Sequence, residues 1–242
     1  MDDKQTESAI EKPASLLLRI AEDAVSESAS APAAAITAIV FSAIWLEAYF
    51  NQLVEVIDFR VSAGVERIPQ GVQQAIEEQR QLEEAKRQLP EKLAKFVASV
   101  SGNKQDRGTS PYQELQLLVA LRDSLVHSWP TRVRRGATDD NLTLSRSSAR
   151  NPDVRALINR LAERGVLAKK YASTNPPLVE ALTRPGVARW SLDTAQAVAA
   201  LVANSFPTEG MRLWANRENH LSGAPPRKIY QSPSGITFLL PD

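Results

Sequence analysis

The stretch "PAAAITAIVFSAIWLEAYFNQLVEVIDF", residues 32–59, places apolar side chains at Ile36, Ile39, Val40, Ala43, Leu46, Phe50, Leu53, Val54 and Ile57. Steps of three and four residues continue along the whole stretch, which is the period of a helix with a sustained apolar stripe. Pro32 suits the first turn, where a missing N–H costs nothing. From Ser28 to Leu46 the chain carries no charge. A membrane-spanning helix needs about 20 predominantly apolar residues. Here Ser, Ala and Pro dilute the first half and Glu47 follows at once, so we read a helix buried in a protein core.

A helix this apolar needs partners, and the sequence on either side supplies more helices. A first helix is expected from about Pro13 to Ser28, with Leu16, Leu17, Ile20 and Ala24 on its inner face. Residues 71–100 are rich in Glu, Gln, Lys and Arg, with i,i+4 pairs such as Glu83 and Arg87, and predict a solvated helix. Pro90 divides that segment into two helices or bends it. Residues 101–111 form a loop by composition. "PYQELQLLVALRDSLVHSW" then places Leu115, Leu118, Leu121, Leu125 and Trp129 on one face, with Pro130 as its end. The polar, basic run that follows is expected to be irregular, with "DDNLTLS" a short strand or a turn. A helix restarts at Asn151 or Asp153 and stops at Gly165. "NPPLVEALTRPG" is a broken stretch with room for one helical turn. Ser191 is expected to cap a last long helix that stops before Pro207. Beyond it the chain reads as extended, with a strand or docking segment at "GITFLLP". The expected fold is all-α, a bundle of long antiparallel helices over residues 1–206 with an irregular tail, 207–242, against the same domain.

The chain has no cysteine and two histidines. Thiolate nucleophiles, disulfides and Cys-containing zinc sites are therefore excluded, no metal site or other cofactor is expected, and the composition fits a cytoplasmic protein. The N-terminus is acidic and lacks the basic-then-apolar order of a signal peptide. Charge is distributed unevenly. Residues 1–60 carry four Lys/Arg against ten Asp/Glu, whereas residues 101–242 carry nineteen against twelve. Two readings of this asymmetry stand: an anionic partner on the basic half, or mutual attraction within one fold.

One of the two histidines lies in "LRDSLVHSWP", residues 121–130. The earlier helix carries Glu47, Ala48 and Asn51 after its alanine-rich run. This order resembles the HEPN superfamily of all-helical domains, in which an early helix bearing Glu-Ala-x-x-Asn precedes a signature R-x(4–6)-H with a polar residue after the arginine. Arg122, Asp123 and His127 match that signature. The resemblance spans roughly residues 13–130. It implies a homodimer whose two motifs meet in a cleft. It also implies endoribonuclease activity in a toxin-like or phage-defence setting, with an antitoxin or regulatory partner.

The residues themselves allow that chemistry. RNA carries its own nucleophile, the 2′-hydroxyl. Cleavage to a 2′,3′-cyclic phosphate and a 5′-hydroxyl needs proton transfer and positive charge on the phosphorane. Histidine titrates near neutrality and can take or give the proton. Arginine stays charged and offers forked donors to phosphate. Asp123 and His127 are i and i+4 and share a helix face, so Asp123 can orient the imidazole. Arg122 and His127 lie about 140° apart around a helix, so a shared site needs a frayed helix end, a long arginine reach or a second copy of the chain. Each residue also has a plainer reading. His127 can cap a helix C-terminus, and Arg122 can be an ion-pair partner of Glu114 or Asp123. Glu47 and Asn51 are expected as a buried, hydrogen-bonded pair that supports the Arg122–His127 helix. Arg132, Arg134 and Arg135 follow the motif and are either an RNA-phosphate surface or an ordinary solvated loop. His220 has no motif around it. The alternative to the nuclease is a non-catalytic HEPN-like scaffold that binds a protein partner or nucleic acid.

Overall fold

The computed structural model describes residues 13–62, 64, 68–103, 110–126, 154–174, 177–219, 229–231 and 237–239. The fold is all-α. Its longest element, α2 (Pro32–Ser62), contacts α1 (Pro13–Glu27), α3 (Gln70–Glu84), α5 (Tyr112–Val126), α8 (Leu178–Leu182), α9 (Pro185–Asn204) and α10 (Glu209–Asn219). Ala35, Ala38, Ile39, Ala43, Trp45, Leu46, Tyr49, Phe50, Leu53 and Ile57 of α2 are all buried. By length and composition α2 could cross a membrane, and half of its most apolar window is buried inside the fold.

Local chemistry sets the helix ends. Ser28 Oγ donates to Val25 O at 2.7 Å, and Ala31 N donates to Glu27 O at 2.8 Å, closing a tight corner between α1 and α2. The polar segment splits as Pro90 requires. α3 stops at Glu84, Lys86 turns with φ 51°, and α4 (Leu89–Ser101) begins with Pro90 in its first turn. α6 (Val154–Glu163) ends at Gly165, whose φ of 72° suits a residue without Cβ. There Val166 N reaches Leu161 O at 2.9 Å, the wrapped C-terminal bond of a Schellman turn. α7 (Lys170–Thr174) and α8 are short turns of helix, the second where "NPPLVEALTRPG" leaves room for one. β1 (Ile229–Gln231) and β2 (Thr237–Leu239) pair antiparallel, with Tyr230 opposite Phe238.

The α3–α4 hairpin joins the core through aromatic edges. Phe96 meets Phe50 edge-on at 5.3 Å and Phe206 at 6.0 Å, so one ring links α2, α4 and the turn just beyond α9. Between α3 and α4 the helices come close at Gly71, where a Cβ would stand 2.9 Å from Ser99 O. Gln79, buried, donates to Lys92 O at 3.1 Å, and the largely buried Lys92 ammonium contacts Glu83.

Three local expectations are corrected. The inner face of α1 is Ala14, Leu18, Ala21, Ala24 and Val25, while Leu16 is 60% exposed. Three of these five positions are alanine, and Leu16 lies on the opposite side of the helix from that face. Ser191 does not cap a helix. α9 starts at Pro185, Val187 and Ala188 extend its buried stripe, and Ser191 Oγ bonds back to Ala188 O at 2.7 Å. Residues 209–219, expected as extended chain, form α10. Thr208 Oγ1 accepts from Met211 N at 3.3 Å, Ala215 is buried, and Arg60 of α2 stacks on Trp214 at 5.0 Å. The run "DDNLTLS" lies outside the described residues.

Phe96→Ala removes a fully buried ring and both edge contacts, so the expected loss is about 3–5 kcal/mol. In a chain of this size that lowers Tm by roughly 10 °C. Thermal unfolding followed by circular dichroism checks it. A shift under about 3 °C would mean that the three-ring contact is not holding the hairpin.

Candidate functional site

α5 is held by Leu115, Leu117, Leu118 and Leu121, all buried against the core. That anchoring brings Arg122 and Asp123 out at the flank of the helix, half-buried. On α2, Glu47 follows the buried Leu46 and comes out on the side that faces α5. The two helices meet there. Arg122 Nη1 donates to Glu47 Oε2 at 3.5 Å, and Arg122 Nε lies 2.9 Å from Asp123 Oδ1. The second contact is one of charge only, because Nε makes no hydrogen bond of acceptable direction. One guanidinium is thus bracketed by two carboxylates from different helices. The side chains of Arg122, Glu47 and Asp123 are 22%, 39% and 36% exposed, respectively. At that solvation such pairs contribute roughly 0–1 kcal/mol each, so the group orients Arg122 more than it stabilises the fold.

The structure therefore brings together Glu47, Arg122 and Asp123. Asn51 stands apart from them. It is exposed, so Glu47 and Asn51 are not the buried pair expected from their spacing. The apolar stripe of α2 is narrower than the helix, and position 51 falls on its outer side. His127, Arg132, Arg134, Arg135 and His220 lie outside the described residues. Among the described residues, no three His, Cys, Asp or Glu side chains gather in a way that could hold a metal ion.

Glu114, the other partner considered for Arg122, is engaged elsewhere. Its carboxylate accepts from Arg164 Nε at 2.5 Å and from Trp190 Nε1 at 2.9 Å. Arg164 also donates from Nη2 to Gln113 Oε1 at 3.4 Å. This cluster ties α5 to the end of α6 and to α9. It flanks an open groove of ≈ 350 Å³ that includes Ser110, Asp193 and Thr194. Sequence reasoning missed it, since its members are 50 and 76 residues apart and no local spacing links them. With both carboxylate oxygens already accepting, Glu114 holds helices together and is poorly placed for proton transfer.

No family model, curated protein or solved structure matches this chain.

Glu114→Ala leaves the Trp190 N–H and Arg164 Nε without their acceptor in a site only about a fifth exposed. The expected cost is about 1–3 kcal/mol. A double-mutant cycle with Arg164→Ala, measured by urea unfolding, should give a coupling of about 0.5 kcal/mol or more. Strict additivity would show that the two side chains do not depend on each other.

Proposed function

We propose that this chain is an HEPN-type, metal-independent endoribonuclease that works as a homodimer. The observation that supports this reading is the contact between Glu47 and Arg122. It joins the helix bearing Glu-Ala-x-x-Asn to the helix bearing Arg122-Asp123, and it fixes the arginine at a partly open flank. In the proposed reaction the 2′-oxygen attacks phosphorus and the bond to the 5′-oxygen breaks. His127 moves the proton, and Arg122 offsets charge on the phosphorane. Asp123 is proposed to orient His127 from one turn away on the same face. Its described contact is with Arg122, so it would serve both groups. Dimerisation would supply a second histidine, giving separate acid and base. Arg132, Arg134 and Arg135 would add phosphate contacts. A toxin-like or phage-defence role with a restraining protein partner, in the cytoplasm, belongs to the same proposal.

The bracketing of Arg122 favours a second reading. A guanidinium already facing two carboxylates has part of its charge offset within its own protomer. That suits a non-catalytic HEPN-like scaffold, in which Arg122 fastens α5 to α2 while another surface binds protein or nucleic acid.

Purified protein incubated with single-stranded RNA in EDTA separates the two. The nuclease reading expects cleavage with 2′,3′-cyclic phosphate ends. It also expects a fall of roughly 100-fold or more for Arg122→Ala and for His127→Ala. Intact RNA with and without divalent metals, from a protein of unchanged helicity, would leave the scaffold as the surviving reading.

A further inference from the structure

A second basic surface lies away from the Arg122 motif, at the corner formed by α7 and the start of α9. Between Val154 and Trp190 the chain carries seven Lys/Arg and two Glu. One of the seven, Arg164, is committed to Glu114. Lys169, Lys170, Arg184 and Arg189 are all exposed. Among the described residues, Lys169, Arg184 and Arg189 form no ion pair with a carboxylate.

Two of these cations are organised around one ring. Lys170 Nζ lies 5.6 Å and the Arg184 guanidinium 5.2 Å from the centre of the half-buried Tyr171 ring. The two charges are therefore no more than about 11 Å apart, and the ring quadrupole helps to hold them there. Arg184 is also the N-cap residue of the 20-residue α9, which has no side-chain cap, so the positive end of its dipole adds to the same corner.

We infer that the Lys169–Lys170–Tyr171–Arg184 corner binds the phosphate backbone of single-stranded RNA, with Tyr171 offering part of its ring to a base. RNA is chosen over other polyanions because the inference rests on the nuclease reading. The aromatic ring among cations favours a single strand over a duplex, whose bases are stacked away from side chains. The corner would act as a guiding surface that grips the substrate outside the cleavage site.

The test is binding of a labelled 20-nucleotide single-stranded RNA by fluorescence anisotropy across a salt series, on full-length protein whose helicity has been checked. The double variant Lys169→Glu/Arg184→Glu should weaken binding by roughly tenfold or more and flatten the salt slope by roughly 1.4, the value for two lost single-strand phosphate contacts. Tyr171→Ala should weaken it by roughly fivefold, and Arg184→Ala, at an exposed position, should weaken it less with no change in fold. Unchanged affinity and slope in the double variant overturn the inference. So does stronger binding to vesicles containing phosphatidylserine than to the RNA. Arg122→Ala keeps the two proposals apart, because it should lower cleavage by roughly 100-fold or more while weakening RNA binding far less than the double variant does. If cleavage survives Arg122→Ala but the double variant loses binding, the nuclease reading fails and the RNA-binding corner stands. If the double variant binds fully while Arg122→Ala cuts nothing, the corner fails and the nuclease stands.

Discussion

Burying α2 is the constraint on which the rest of this structure turns. A 31-residue helix with no charge before Glu47 cannot leave that half of its surface to water, and a single partner cannot cover it. α1 folds back on it at once. α9 lies against it and buries Val187, Ala188, Leu192, Ala195, Val198, Ala199 and Val202, a face rich in small side chains. α5 and α10 close other sides. The α3–α4 hairpin, charged on its outer face, buries Val72, Ile76, Leu93 and Val97 in the same core, with Phe96 between Phe50 and Phe206.

The same constraint accounts for where polar chemistry occurs. Charges come in only where the stripe of α2 narrows. Glu47 meets Arg122 at one such flank, and Asp58 meets Arg80 of α3 at another. Both contacts join two helices through partly solvated groups, so they fix direction with little gain in stability. The Glu114–Arg164–Trp190 cluster is different in kind. It is less exposed, and its carboxylate is fully occupied.

Much of the helical layout could be read from the residues alone, for reasons that are themselves local. α2 announces itself by an unbroken stripe of threes and fours. Pro90 and Gly165 mark helix boundaries because one lacks an N–H and the other a Cβ. What could not be read depends on partners. Leu16 outranks Ala14 and Ala21 in hydrophobicity, yet the alanines are buried and Leu16 is not, because the face that packs is the one that also carries Leu18 and Val25. Ser191 carries the side chain of a good cap, but Pro185 starts the helix earlier and the core extends to Val187. Thr208 and the spacing of Met211, Trp214 and Ala215 did contain a signal for α10, masked by the prolines on either side. At the candidate site, Arg122 and Asp123 could be located by motif. The bond to Glu47, 75 residues away, needed the fold.

Glu47 is the sixteenth of the 31 residues of α2, the midpoint of an uninterrupted rod about 46 Å long. Between Pro32 and Ser62 it contains neither glycine nor internal proline, the usual sources of a hinge. At its far end Arg60 is clasped by Trp214 of α10. The rod therefore acts as a fixed spine: the carboxylate at its middle and the Arg60–Trp214 contact near its end are held in one frame, and the aim of the Arg122 guanidinium is set by it.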